Sequence, residues 1–234
     1  MTGDEALFYW WARYLDYGYY DHPPMVGWWL ALLLKLSNAP WVLRLPVTLL
    51  PAVLALGLFH ALRVSNDRDR DDRAALAAMG LLLVPVNVWN ILITTDTPLI
   101  FWSFLSGLCF WRAHDDSRTG RVGWLVAAGI FLGLAFLSKY FAALLGVAFL
   151  AAVALAPRGR RQWGGLLLVY AAALPFAALN LYWNYENCWA NLMFNLYNRL
   201  RAGSGALLAS GDAARFCFQR FAAFFRDVVH YGHP

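Results

Sequence analysis

The chain has 234 residues, of which 61% are hydrophobic, 17% are aromatic and only 14% are charged. One soluble core cannot bury this much apolar surface, so the composition indicates an integral membrane protein and argues against soluble nucleotide chemistry. Basic residues exceed acidic ones by 19 to 14, but most lie in short loops between apolar segments, which is a topology signal and not a nucleic-acid-binding surface.

The first 43 residues predict two helices that lie on the membrane surface. Apolar residues recur there at helical spacing and form one face: Leu7, Trp10, Trp11, Tyr14 and Leu15. Residues 24–36 contain too few apolar positions before Lys35 to cross a bilayer. We therefore predict that residues 1–43 form an external loop with two interfacial helices.

Six apolar stretches follow in chain order: 45–62, 74–95, 97–111, 122–138, 140–157 and 162–185. A spanning helix needs about 20 mostly apolar residues, so residues 44–185 predict a six-helix transmembrane domain in an all-α polytopic membrane protein. The stretch 97–111 is short, and we expect the stem of Arg112 to lengthen it toward the headgroups. Residues 186–234 predict an external loop and an amphipathic segment. We expect truncation in this segment, with a misplaced start or a reduced family member as the alternatives to a fragment.

Arginines distinguish one side of the predicted bundle from the other. Three loops contain ten of them: Arg63, Arg68, Arg70, Arg73, Arg112, Arg118, Arg121, Arg158, Arg160 and Arg161. The positive-inside rule assigns these loops to the cytoplasm and predicts a multi-pass protein of the cytoplasmic (inner) membrane. The side chains able to carry chemistry then all fall on the periplasmic or outer side: Asp4, Glu5, Asp21, His22, Asp96, Lys139, Tyr140 and Glu186.

Several of these residues also have a purely structural interpretation. Asp4 and Asp96 each precede a predicted helix and are favoured N-cap residues. Lys139 can mark a hairpin tip with its ammonium extended to the headgroups, or it can bind a phosphate as a point charge. Residues 20–24, Tyr-Asp-His-Pro-Pro, can form a simple turn. Ionisable groups beside membrane spans nevertheless mark chemistry more often than packing.

Four residues are candidates for a divalent metal site: Asp21, His22, Asp96 and Glu186. They are far apart in sequence and lack the tight spacing of known metal motifs. A metal therefore remains one alternative, and the sequence identifies no certain cofactor. No repeat, Walker loop or dinucleotide fingerprint is found.

Ordered motifs along the chain resemble a known family. They are Asp-Glu at 4–5, Gly-Tyr-Tyr-Asp-His-Pro-Pro-Met at 18–25, Arg-Leu-Pro at 44–46, Thr-Thr-Asp-Thr-Pro-Leu at 94–99, Leu-Ser-Lys-Tyr at 137–140, and Trp-Asn at 183–184 after a helix interrupted by Pro175. This set resembles polyprenyl-phosphate-dependent glycosyltransferases related to protein O-mannosyltransferases and aminoarabinose transferases, which have the GT-C fold. The resemblance covers nearly the whole chain.

The resemblance implies an enzyme that moves a sugar, with inversion, from a polyprenyl-phosphate donor to a hydroxyl of a glycan, lipid or protein acceptor. It assigns the catalytic base to Asp4, with the adjacent Glu5 as a catalytic auxiliary, and substrate or lipid-phosphate binding to a further set: Asp21, His22, Arg44, Lys139, Tyr140 and Asn184. No nucleic acid is expected as a partner. Such relatives have a helix before the Asp-Glu pair and more spans beyond position 234, so the chain resembles their front half.

Two other functions are compatible with the apolar composition. A small membrane transporter should carry ionisable groups near the middle of the bilayer on broken helices, whereas most charges here lie at the ends of the predicted spans. A lipid-binding scaffold without catalysis would leave Asp4 and Lys139 without a task. The glycosyltransferase is therefore the favoured hypothesis.

Overall fold

The computed structural model describes residues 2–63, 68–84, 92–114, 120–157 and 162–195. Within these ranges the chain is helical and forms no strand, which confirms the predicted all-α class. Its elements in chain order are α1 (Gly3–Arg13), α2 (Met25–Leu34), α3 (Pro40–Leu62), α4 (Arg68–Leu82), α5 (Asp96–Ala113), α6 (Arg121–Phe136), a 3₁₀ turn (Tyr140–Ala142), α7 (Ala143–Leu155), α8 (Trp163–Glu186) and α9 (Ala190–Met193). Each predicted apolar stretch therefore contains one helix from α3 to α8.

Two of the described helices, α3 and α8, are long and apolar enough to cross a bilayer. Helix α5 has 18 residues, about 27 Å at 1.5 Å per residue, and the Arg112 guanidinium lies over the Trp124 ring at 5.5 Å. Helix α4 begins at Arg68, six residues before the predicted start, and residues 85–91 of that stretch lie outside the described ranges. The six-crossing domain thus stays a prediction.

Helices α1 and α2 pack on each other at the start of α3. Their shared core contains Phe8, Trp11, Tyr19, Val26 and Leu30, together with Leu43 and Ile93 from the bundle. Four residues of the predicted apolar face, namely Leu7, Trp10, Tyr14 and Leu15, are exposed, as an interfacial helix requires. Trp11 differs, because it turns inward and stacks on the Tyr19 ring.

Helices α5 to α8 form the second core. The Ser106 hydroxyl donates to the Ala128 carbonyl at 2.7 Å and joins α5 to α6, while the rings of Phe110 and Phe149 stack at 4.1 Å between α5 and α7. A Cβ at Gly129 would overlap the backbone of α8, so the missing side chain permits this close helix contact. The alternating chain direction brings the starts of α3, α5 and α7 and the ends of α6 and α8 to one end of the bundle.

The sequence predicted that Pro175 interrupts a helix, but α8 continues through Pro175 from Trp163 to Glu186. Neighbouring helices can satisfy the backbone groups that a proline frees in a membrane helix. The predicted amphipathic segment near the C-terminus lies outside the described residues from position 196 onward.

Candidate functional site

The N-terminus of α1 is fixed by a capping box. Thr2, and not Asp4, is the N-cap: its hydroxyl accepts from the Glu5 amide at 3.4 Å, and its amide donates to Glu5 Oε2 at 2.9 Å. The N-cap interpretation of Asp4 is therefore wrong, because Thr2 starts the helix two residues earlier. Asp4 lies in the first turn of α1 and is exposed.

Glu5 is buried and connects three parts of the chain. Only 1% of it is exposed, and its oxygens accept from Arg44 Nε at 3.0 Å, from an Arg44 terminal nitrogen at 2.8 Å and from the Ile93 amide at 3.3 Å. The Arg44 hydrogen bonds are the main reason that the pKa of Glu5 falls from 4.5 to about 2. Both Glu5 oxygens are thus occupied, whereas the neighbouring carboxylate of Asp4 is exposed.

Lys139 and Asp96 form an ion pair at the same end of the bundle. The Lys139 ammonium lies 2.7 Å from Asp96 Oδ1, and the side chains come from the end of α6 and the start of α5. The N-cap of α5 is Thr95, without a side-chain cap hydrogen bond. The capping interpretation of Asp96 is therefore wrong, since its carboxylate binds a lysine 43 residues away.

Tyr140 and Asn184 both contact Asn180, which was not among the predicted site residues. The Tyr140 hydroxyl donates to Asn180 Oδ1 at 2.9 Å. The side-chain amide of Asn184 donates to the backbone carbonyl of Asn180, also at 2.9 Å. Asn180 lies inside an apolar stretch one helical turn before Asn184, and this spacing was the available signal. Nearby, the Met25 amide donates to the Leu137 carbonyl at 3.1 Å and joins α2 to the segment that carries Lys139.

The turn that carries Asp21 and His22 packs against α1 and the end of α8. The Tyr19 amide donates to the His22 carbonyl at 3.0 Å, and Asp21 Oδ2 lies 3.9 Å from His22 Nε2. The Trp11 ring lies 6.3 Å from the imidazole. Gly18 is required here, because a Cβ would come within 2.5 Å of the Trp183 ring.

The residues proposed for a metal are not gathered into one site. Among the described residues no group of three His, Cys, Asp or Glu side chains is arranged to hold an ion. Asp96 binds Lys139, and Glu186 is exposed at the end of α8. The predicted set of Asp21, His22, Asp96 and Glu186 is therefore corrected, since the geometry joins only the first two.

An apolar groove of about 320 Å³ is lined by residues that precede and follow Lys139 and Tyr140 in the chain. It lies between the end of α6, the start of α7 and the middle of α8, with Leu132, Phe136, Ala142 and Tyr170 among its lining residues. The candidate residues thus comprise an exposed carboxylate, two cations paired with carboxylates and an imidazole, and an apolar groove lies between α6, α7 and α8. This arrangement suits a ligand with an anionic head and a hydrocarbon tail.

Comparison with known proteins gives a consistent result. The chain is 28% identical over 186 residues to the lipid A galacturonosyltransferase RgtD of Rhizobium johnstonii, a match that covers 79% of this chain and 38% of that protein. No solved structure matches the chain at a significant level. The model of the dolichyl-phosphate-mannose-protein mannosyltransferase family matches residues 21–183. The resemblance seen in the sequence is confirmed, and this all-α membrane protein belongs to that family within the GT-C superfamily.

Proposed function

We propose that the protein is a membrane glycosyltransferase that moves a sugar from a polyprenyl-phosphate donor to an acceptor hydroxyl at the periplasmic face. The observation that carries this proposal is the family match over residues 21–183, together with the exposed Asp4 beside the buried Glu5, which is paired with Arg44. The Arg-rich loops support the orientation, because the chain alternation assigns them to the opposite end of the bundle.

Asp4 is the proposed base. As the acceptor oxygen bonds to the anomeric carbon, Asp4 takes the hydroxyl proton, and the bond between that carbon and the phosphate oxygen breaks with its electron pair on the phosphate. A single displacement of this kind inverts the anomeric configuration. The phosphate leaves without a proton if fixed cations meet its charge, so the reaction does not need the second carboxylic acid of a glycosidase.

Lys139 is the proposed partner of the donor phosphate, and His22 is a second one. In the described structure the Lys139 ammonium is held by Asp96, so a phosphate must compete with that carboxylate. The apolar groove between α6, α7 and α8 begins within three residues of Lys139 and suits the isoprenoid chain. Tyr140, Asn184, Asp21 and Arg44 are proposed to shape the donor site around this phosphate.

A lipid is the first acceptor class that we propose to test, because the relative with 28% identity is named for lipid A, whereas the family description names a protein acceptor. Glycans and proteins are the other acceptors to be compared. The sugar itself is to be identified by experiment, and galacturonic acid is the first to try for the same reason.

A donor panel tests the proposed reaction. The protein, expressed at its full natural length in membranes, is incubated with radiolabelled polyprenyl-phosphate sugars and with lipid A, glycan or peptide acceptors. We expect labelled acceptor from one donor, with the opposite anomeric configuration in the product by NMR. Labelled lipid that crosses proteoliposomes without any product would favour the transporter alternative, and labelling of positions 4 and 139 from opposite sides of the membrane would contradict the shared periplasmic site.

A further inference from the structure

The chain reverses direction sharply after α8. Cys188 and Trp189 both adopt left-handed backbone conformations, with φ of 55° and 58°, although neither is glycine. Such conformations are unfavourable for residues with a side chain and persist only where surrounding contacts hold them. The Trp189 amide donates to the Asn184 carbonyl at 2.6 Å, and the Leu192 amide donates to Asn184 Oδ1 at 3.1 Å. These bonds direct the next residues toward the loop between α1 and α2.

Two asparagines one helical turn apart then hold that loop. The side-chain amide of Asn191 donates to the backbone carbonyl of Tyr19 at 2.7 Å. The side-chain amide of Asn195 donates to the backbone carbonyl of Asp21 at 3.0 Å. Asn191 is fully buried, and the rings of Tyr20 and Phe194 pack at 4.8 Å between the two hydrogen bonds. We call Asn191 and Asn195 the asparagine clamp.

The clamp holds the backbone of the turn that carries Asp21 and His22. Its bonds reach across more than 170 residues and fix two carbonyls of a turn that the hydrogen bond from Tyr19 to His22 closes. Asp21 Oδ1 is buried there and, within the described part of the chain, accepts no hydrogen bond. No group of the described residues donates to this oxygen, so it is left for a donor from elsewhere, and a sugar hydroxyl has that chemistry.

We infer that Asn191 and Asn195 are positioning residues for the donor sugar: they hold the turn at 19–22 so that Asp21 can accept a hydrogen bond from a sugar hydroxyl. This inference rests on the proposed glycosyl transfer. The inference also makes the segment that follows α8 part of the donor site. The positions of Asn191 and Asn195 in the sequence did not indicate this role.

Three alanine variants test the clamp. Asn191→Ala and Asn195→Ala each remove one amide that reaches the turn, whereas Asn187→Ala removes an amide that only donates to Trp183 of its own helix at 2.9 Å. With the labelled donor identified by the panel, we expect both clamp variants to raise the donor KM about tenfold, the size of one lost hydrogen bond to a buried group, with kcat within about twofold. Asn187→Ala is expected to behave as wild type.

Hydrogen exchange separates the clamp from the reaction. We expect the Tyr19 amide to exchange about tenfold faster in Asn195→Ala, which removes the less buried of the two amides, and to stay unchanged in Asn187→Ala. Unchanged exchange in Asn195→Ala would overturn the clamp. Faster exchange with an unchanged donor KM would overturn its role in donor binding. Failure of the proposed function would appear differently, as a wild-type protein that transfers no sugar from any donor.

Discussion

Replacing Glu5 by glutamine tests whether the ion pair between the buried Glu5 and Arg44 holds α1 on the bundle. Glu5 accepts two hydrogen bonds from the guanidinium and two from the backbone amides of Thr2 and Ile93. Glutamine keeps one acceptor oxygen but turns an amide donor toward groups that also donate. A hydrogen bond to a charged group contributes about 1.5 to 3 kcal/mol, and Arg44 can recover part of this from water because its side chain is 33% exposed. We therefore expect a loss of about 2 kcal/mol of stability for Glu5→Gln.

Thermal unfolding in detergent measures this loss. For a protein of this length 1 kcal/mol shifts Tm by about 2 to 4 °C, so Tm should fall by about 6 °C. The chain contains 12 tryptophans, and Trp11 lies in the core that α1 shares with α2, so tryptophan fluorescence reports the transition. Asp16→Asn is the matched control, because it removes an exposed carboxylate from the segment between α1 and α2.

A double-mutant cycle decides whether the loss comes from the pair. Glu5→Gln and Arg44→Gln remove the same contact, so the double variant should lose less Tm than the sum of the single variants. Strictly additive losses, or a Glu5→Gln protein with the Tm of wild type, would refute the reasoning that Glu5 and Arg44 anchor α1.

Three further results are expected. The pKa of Glu5 is lowered from 4.5 to about 2, so its contribution to folding stability is complete above pH 4.5 and is lost as the pH falls toward 2. Wild-type Tm should therefore fall more steeply over this range than the Tm of Glu5→Gln. Parallel curves of Tm against pH would contradict this. Asp96→Asn releases Lys139 and should increase the affinity for a polyprenyl phosphate up to about fivefold, which corresponds to the free energy of an exposed ion pair. Weaker binding in equilibrium titration would argue that Asp96 does not compete with the phosphate. Gly18→Ala places a Cβ 2.5 Å from the Trp183 indole ring and should lower Tm by several degrees. Gly3→Ala, whose Cβ has no neighbour within 4 Å, should leave Tm unchanged. Equal Tm values for the two variants would show that the indole ring moves aside without loss of stability.

The helices were predictable because lipid imposes a long apolar run on each one. All six stretches contain a helix, and α1 and α2 occur where the short amphipathic segments were expected. Helix ends were less predictable. The start of α4 lies among charged residues at Arg68, and Pro175 looks like a helix breaker although α8 passes through it, because packing against neighbours outweighs local preference.

The roles of individual acids were not predictable, since they depend on partners far away in the chain. Asp96 carries the local signature of an N-cap, yet its partner is Lys139. Glu5 was expected to assist catalysis, but its partners Arg44 and Ile93, 39 and 88 residues away, occupy both of its oxygens. Only tertiary contacts could assign these carboxylates, whereas the shared end of the bundle followed from chain alternation.

The base in the proposed transfer is tested most directly by Asp4→Asn. Asp16→Asn, which makes the same charge change just after α1, is the control. Both variants are purified, checked by Tm and assayed with the donor and acceptor that wild type uses. We predict that Asp4→Asn loses at least about 100-fold in kcat, the lower end of general-base contributions, while Asp16→Asn retains wild-type turnover. A folded Asp4→Asn protein that transfers sugar at the wild-type rate would contradict the assignment.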